Sequence, residues 1–319
     1  MTLTETTSPM RPDRPTAATP LAGHRRPPRR LHRRRAARLL AAVTALGVSA
    51  ATASACVPPV IPPGPVTTTT VPRGSTEPVP AGAITLVALG DSLTEGTGDD
   101  RDAGGYVGRL GTAISQRPGR QGSTVVNRGR SGWASQDLID GQGGDPAQLA
   151  QARDDVAAAR AAGRPVVATV LIGSNDLWYL YEYGSHDGTT AGEEAADREH
   201  YRRALTTIVH DLKTAGATVV LAVNDDQSHR PVAADDSMRR ATFPDTSAAE
   251  VAQMSAQAHA YETIVADVAT AEGALVADFI DAPLFRNAAT LAEDGNHPNA
   301  AGYDQLTDLW LGAMAPLAL

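Results

Sequence analysis

Five short apolar runs, each separated from the next by a longer amphipathic stretch, constrain this chain more than any other feature of its 319 residues. They occupy 84–89, 124–127, 166–172, 218–223 and 275–279. Each is rich in Val, Ile or Leu, as expected of strands buried on both faces of a parallel sheet. The stretches between them have helical spacing. Val251, Met254, Ala258, Tyr261, Val265 and Val268 recur at intervals of three and four, as do Tyr201, Leu205, Ile208 and Leu212, so each set lines one face of a helix. Strand-helix alternation of this kind predicts an α/β domain, a three-layer α/β/α sandwich with right-handed crossovers. The five parallel strands are expected in the order 2-1-3-4-5 of flavodoxin-like sheets.

The N-terminus is of another kind. Residues 1–55 hold ten Arg against only Glu5 and Asp13, and an uncharged run over 39–55 ends in Ala53-Ser54-Ala55. This has the build of an export signal, because the run is too short and too rich in Ala, Ser and Thr for a membrane span. Cys56 follows directly and is the only cysteine. It rules out an intramolecular disulfide, and its position resembles a bacterial lipobox, which makes Cys56 a candidate lipidation site. Over 57–80 Pro and Thr dominate, a composition that cannot pack and reads as a tether. The expected organisation is an export signal over 1–55, a lipobox-like Cys and tether over 56–80, and one catalytic domain over 81–319. The product is then exported, either as a cell-surface lipoprotein or in secreted form. From Cys56 onward 18 basic residues face 34 acidic ones, a formal net charge of −16. That balance opposes binding to nucleic acid, and no nucleic-acid partner is expected.

Polar clusters follow the ends of four apolar runs. Gly90-Asp91-Ser92-Leu93 comes after the first, 127–132 after the second, Gly173-Ser174-Asn175-Asp176 after the third, and 294–297 beyond the fifth. Ligands of open α/β sheets bind beyond the carboxyl ends of the strands, so these residues converge although they are far apart in sequence. A serine hydroxyl is a weak nucleophile until a positioned base takes its proton. Ser92 and His297 are the candidates for that pair. Asp294, three residues before His297, is placed to meet the imidazole Nδ1 through a turn and fix its tautomer. Pro298 restricts His297 to extended backbone. Taken singly, Ser92 would serve equally well as a helix cap, Asn175 as a loop anchor, Gly132 as a turn residue and Asp294 as a solvated acid.

Taken together, the clusters resemble the sequence blocks of SGNH (GDSL) hydrolases. Gly90-Asp91-Ser92-Leu93 matches the first block, Asn127 with Gly132 the second, Gly173-x-Asn175-Asp176 the third and Asp294-x-x-His297 the last, in the family's order over nearly all of 84–303. The resemblance implies a serine esterase that works through an acyl-enzyme without metal or cofactor. It also implies three oxyanion donors: the backbone N–H of Ser92, the backbone N–H of Gly132 and the side-chain amide of Asn175. Gly129 is the alternative to Gly132. Asp91, Asp176 and Asn127 are expected to hold loops.

Aromatic residues make up only 4% of the chain, yet Trp133, Trp178, Tyr179, Tyr181 and Tyr183 lie beside these blocks. Trp133, Trp178 and Tyr179 are candidate substrate-binding residues, with core packing the competing reading. The pairs and triplets Asp99, Asp100 and Asp102, Asp225-Asp226 and Asp235-Asp236 lack EF-hand spacing and read as solvated turns. A monomer is expected, acting on a small-molecule, lipid or carbohydrate ester with a short acyl group. The alternatives are acyl transfer to a sugar hydroxyl, a long-chain lipase, and a non-catalytic surface binding module on the same frame.

Overall fold

The computed structural model describes residues 77–182 and 188–319. The expected export signal, Cys56, most of the tether and Tyr183 lie outside those residues. β1 (Thr85–Gly90), β2 (Thr124–Asn127), β3 (Val166–Leu171), β4 (Thr218–Val223) and β5 (Leu275–Asp278) form one sheet in the order β2-β1-β3-β4-β5. Every neighbouring pair is parallel. All five expected strands are present, in the expected order.

The connecting helices are α1 (Ser92–Glu95), α2 (Gly105–Ser115), α3 (Asp137–Asp140), α4 (Gln148–Ala161), α5 (Ser174–Glu182), α6 (Ala191–Ala215), α7 (Pro231–Ala234), α8 (Asp236–Thr242), α9 (Ala248–Glu272) and α10 (Ala300–Ala313). Because successive side chains of a strand point to opposite faces, alternate residues feed two separate cores. Val87, Leu89, Ala168, Val170, Val219 and Leu221 pack with Val156 of α4, Leu205 and Ile208 of α6, and Tyr261 and Val265 of α9. Leu86, Ala88, Val167, Val220 and Ala222 face the other way, onto Leu110 of α2 and Leu306 and Trp310 of α10. Each buried Val, Leu or Ile side chain contributes about 1.5–3 kcal/mol, and this burial binds the three layers.

Helix boundaries follow local chemistry. Capping boxes open α6 (Thr190 with Glu193) and α9 (Ser247 with Glu250), satisfying backbone N–H groups that the first turn leaves without partners. Both helices end at a glycine in the left-handed conformation, Gly216 and Gly273, which reverses the chain into β4 and β5. The chain leaves β1 toward β2 and returns to β3 on the other side of β1. The loops after β1 and β3 therefore diverge and leave a crevice at the carboxyl edge of the sheet.

Candidate active site

The turn after β1 is held from several sides. Gly90 lies where the end of β3 and α1 close on the end of β1: a Cβ there would collide with the Leu171 carbonyl and the Thr94 hydroxyl. The Gln148 side chain accepts from Gly90 N–H at 3.0 Å and donates to Gly90 C=O at 2.9 Å, so one amide holds the two peptide units that flank the Gly90 Cα. Asp91 is fully buried and caps α1 by accepting the Leu93 N–H at 3.0 Å. Burial pushes its carboxyl up to about 6, against the pull of that N–H. These contacts leave Ser92 as the first residue of α1, with its side chain toward the crevice.

His297 arrives on the loop before α10. Its Nε2 lies 2.9 Å from Ser92 Oγ, and its Nδ1 lies 2.6 Å from Asp294 Oδ2. The other oxygen of Asp294 accepts the N–H groups of Asn296 at 2.9 Å and His297 at 3.0 Å, so the carboxylate organises the whole turn. Burial alone would raise the Asp294 carboxyl, but the hydrogen bond and charge of His297, with the two N–H groups, outweigh it and hold it at about 2. An ionised Asp294 accepts from Nδ1–H, which leaves Nε2 as the acceptor facing the serine hydroxyl.

The loop after β2 is fastened to its neighbours residue by residue. Asn127 donates to Thr94 C=O at 2.7 Å and accepts from Gly129 N–H at 2.9 Å. A Cβ on Gly129 would collide with the backbone at Thr94 and Glu95, so Gly129 serves close packing against α1. Gly132 differs. It sits at φ +78°, a conformation that glycine adopts without strain, and a Cβ there would meet only the Tyr179 hydroxyl, at 3.5 Å. Tyr179 donates its hydroxyl to Gly132 C=O at 2.5 Å, Asn175 donates to Trp133 C=O at 2.9 Å, and Asp176 accepts from Ser135 N–H at 2.9 Å and Oγ at 2.6 Å. Three residues of α5 thus staple 132–135 in place. Among the described residues, neither Ser92 N–H nor Gly132 N–H has a protein partner.

The sequence pattern of the GDSL-like Lipase/Acylhydrolase family matches residues 88–305. This chain belongs to that family. It is an ester-cleaving serine hydrolase, and its substrates are small-molecule esters. The fold is shared with LAE5, an alpha/beta hydrolase enzyme from the metagenome of Lake Arreo, Spain: 23% identity, a TM-score of 0.50, and coverage of 74% of this chain and 97% of LAE5. Axe2, an acetylxylan esterase from Geobacillus stearothermophilus, also matches, at 22% identity and a TM-score of 0.48 over 73% of this chain and 95% of its own. So does TesA, at 19% identity and a TM-score of 0.49 over 73% of this chain and 99% of its own. Comparison with curated protein sequences found no match.

In this GDSL-like hydrolase, two of the three aromatic residues expected to meet substrate do not reach the surface. Trp178 is 3% exposed and stacks on Phe243 at 3.9 Å between ring centroids, and Trp133 is buried in the same core. The reason is helical phase. Leu177, Trp178 and Tyr181 occupy the inward face of α5, whereas Asn175 and Tyr179, four apart, share the face turned to the Gly132 loop. Tyr179 is half-buried, with its hydroxyl engaged as an anchor.

Of the aspartates expected in solvated turns, Asp100, Asp102, Asp235 and Asp236 are exposed, whereas Asp99, Asp225 and Asp226 are drawn inward. Asp99 forms an ion pair with Arg109 at 2.6 Å and accepts three loop N–H groups, from Arg101, Ala103 and Gly105. Asp225 and Asp226 are buried, the first paired with Arg230 and the second capping the 3-10 turn Gln227–His229. Asp235 caps α8. Among the described residues no three His, Cys, Asp or Glu side chains are grouped to hold a metal ion. Gln148, Ser135 and Arg230 carry the site's support and went unnoticed in the sequence, where nothing local distinguishes them.

Proposed function

We infer that this hydrolase is an exported esterase that transfers short acyl groups to water through Ser92. The observation that carries this reading is the continuous chain from Ser92 Oγ to His297 Nε2 at 2.9 Å and from Nδ1 to Asp294 at 2.6 Å. As Ser92 Oγ bonds to the acyl carbon, its proton passes to Nε2 and the C=O π electrons move onto the carbonyl oxygen, which takes up the negative charge. The unpartnered N–H groups of Ser92 and Gly132 and the second amide hydrogen of Asn175 are the donors assigned to that oxygen. Collapse expels the alcohol, which takes the proton from Nε2 and leaves an acyl-serine. Water then repeats the sequence, giving up its proton to Nε2, and the carboxylic acid departs as Ser92 regains its hydrogen.

The short acyl group is supported by surface chemistry. Among the described residues Leu309 is the large apolar side chain that stands exposed, so the surface offers a long acyl chain no broad apolar patch on which to be buried. Hydrolysis of nitrophenyl esters from acetate to palmitate, by wild type and Ser92→Ala, tests both parts. Activity should vanish in Ser92→Ala, together with labelling by a fluorophosphonate, and kcat/KM of wild type should be highest for the shortest esters. Turnover persisting in the variant overturns the nucleophile, and kcat/KM rising steadily to palmitate overturns the substrate class. Export rests on the basic N-terminus, the uncharged run and Cys56. A Cys56→Ser chain should move from membranes to medium, and equal release of both forms would favour plain secretion.

A further inference from the structure

We propose that Arg230 is a positioning residue for the catalytic turn, acting on His297 through Asn296. The proposal rests on the reading of His297 as the base. Arg230 lies between the 3-10 turn Gln227–His229 and α7 and is 1% exposed. Its guanidinium grips buried Asp225 with two parallel bonds, Nε to Oδ2 at 2.9 Å and Nη2 to Oδ1 at 2.6 Å. The remaining nitrogen, Nη1, reaches Asn296 Oδ1 at 2.7 Å and Asn296 C=O at 3.4 Å. The ring of Phe285 covers its face, 4.9 Å from the guanidinium carbon.

A buried ion pair contributes little net stability, since desolvation offsets most of the attraction and an apolar pair of the same volume serves as well. What arginine offers that an apolar residue lacks is a rigid fork of donors, able to hold Asp225 with one edge and a second acceptor with the other. That second acceptor is Asn296, one of the two residues between Asp294 and His297. Asn296 is thereby held at three points: its N–H by Asp294, and its carbonyl and side chain by Arg230. The preceding residue is seated in the same way. Gly295 C=O accepts from Val232 N–H at 3.1 Å, and a Cβ on Gly295 would come within 2.6 Å of Met238 and 3.1 Å of Pro231. The turn that carries His297 is therefore fastened to the segment after β4, with Arg230 as its charged rivet. A small displacement of that turn lengthens the 2.9 Å gap to Ser92, and misplacement of about 1 Å can cost about a hundredfold in rate.

Asn296→Ala tests this while leaving the Arg230–Asp225 pair intact. With the fold verified by circular dichroism, kcat should fall by about tenfold at unchanged KM, and fluorophosphonate labelling of Ser92 should slow by a similar factor. Asn296→Asp keeps the acceptor for Nη1 and should return kcat to within about threefold of wild type on the alkaline plateau. Arg230→Lys keeps a charge beside Asp225 but cannot span both partners. It should lose about as much kcat as Asn296→Ala, and the double variant should lose little more. Unchanged kcat and labelling in Asn296→Ala, or losses that simply multiply in the double variant, overturn the proposal. Failure of the underlying reading looks different: His297→Ala would itself retain turnover.

Discussion

Asp294→Asn is the most direct probe of how this site sets the tautomer of its histidine. The new amide must choose between two orientations. In the first, its oxygen keeps the N–H groups of Asn296 and His297, now at 2.9 and 3.0 Å, and its NH2 faces Nδ1 where Oδ2 stood at 2.6 Å. An NH2 only donates, so Nδ1 must accept, the ring proton moves to Nε2, and Ser92 loses its base. In the flipped orientation the productive tautomer returns, but the two backbone hydrogen bonds are lost at about 1 kcal/mol each. A penalty of about 2 kcal/mol leaves about one molecule in thirty productive. Weaker stabilisation of the imidazolium adds to the loss, up to the roughly 10⁴ seen when a fully buried aspartate of such a triad is replaced. Asp294 is 48% exposed, so screening by water keeps the effect toward the lower end. Steady-state hydrolysis of a nitrophenyl ester should show kcat reduced by about 30-fold or more at unchanged KM. The thermal midpoint should drop modestly at pH 7, where the interaction that holds Asp294 at about 2 is fully present but water-exposed, and the difference from wild type should shrink as pH falls from about 4 toward 2. A loss of kcat under about fivefold would refute the tautomer argument.

Asn175→Ala removes one side-chain donor and the bond to Trp133 C=O, and should lower kcat by about 10²–10³ while Ser92 still labels; a loss under about threefold would mean that another group supplies the bond. Asp176 gives a test by pH. Burial pushes its carboxyl up to about 7 in the folded protein, above the unfolded value of about 4, so the folded state holds the proton more tightly. Its contribution to stability is full below about pH 4 and is lost as pH rises through 7. Asp176→Asn stays neutral, so its thermal midpoint relative to wild type should climb between pH 5 and pH 8, and a constant difference would contradict the burial argument.

How much of this was legible beforehand depends on whether the deciding interaction is local in sequence. The strands at 85–90, 166–171 and 218–223 announce themselves because both faces are buried, and the α6 and α9 stripes because their inward residues recur at three and four. The turn Asp294-x-x-His297 is equally local, and the structure closes it within four residues. Ser92, 205 positions away, was reachable only through the rule that strand ends converge. Where the reading failed, the partner lay elsewhere. Trp178 looked available because aromatics are scarce, but its fate turned on Phe243, 65 residues on and just past the end of α8, whose placement against α5 no spacing reveals. Asp225 looked solvated for the same reason: the Asp-Asp pair matches a surface turn, and nothing in the letters shows that Arg230 folds back onto it beneath the His297 loop. The chemistry-bearing residues are constrained by what they must do and so form recognisable blocks. Their supports, Gln148, Tyr179, Ser135 and Arg230, need only meet one particular backbone atom or side chain, and many residue types at many positions could do that. The first set is therefore written in the sequence, and the second becomes visible only when the loops are in place.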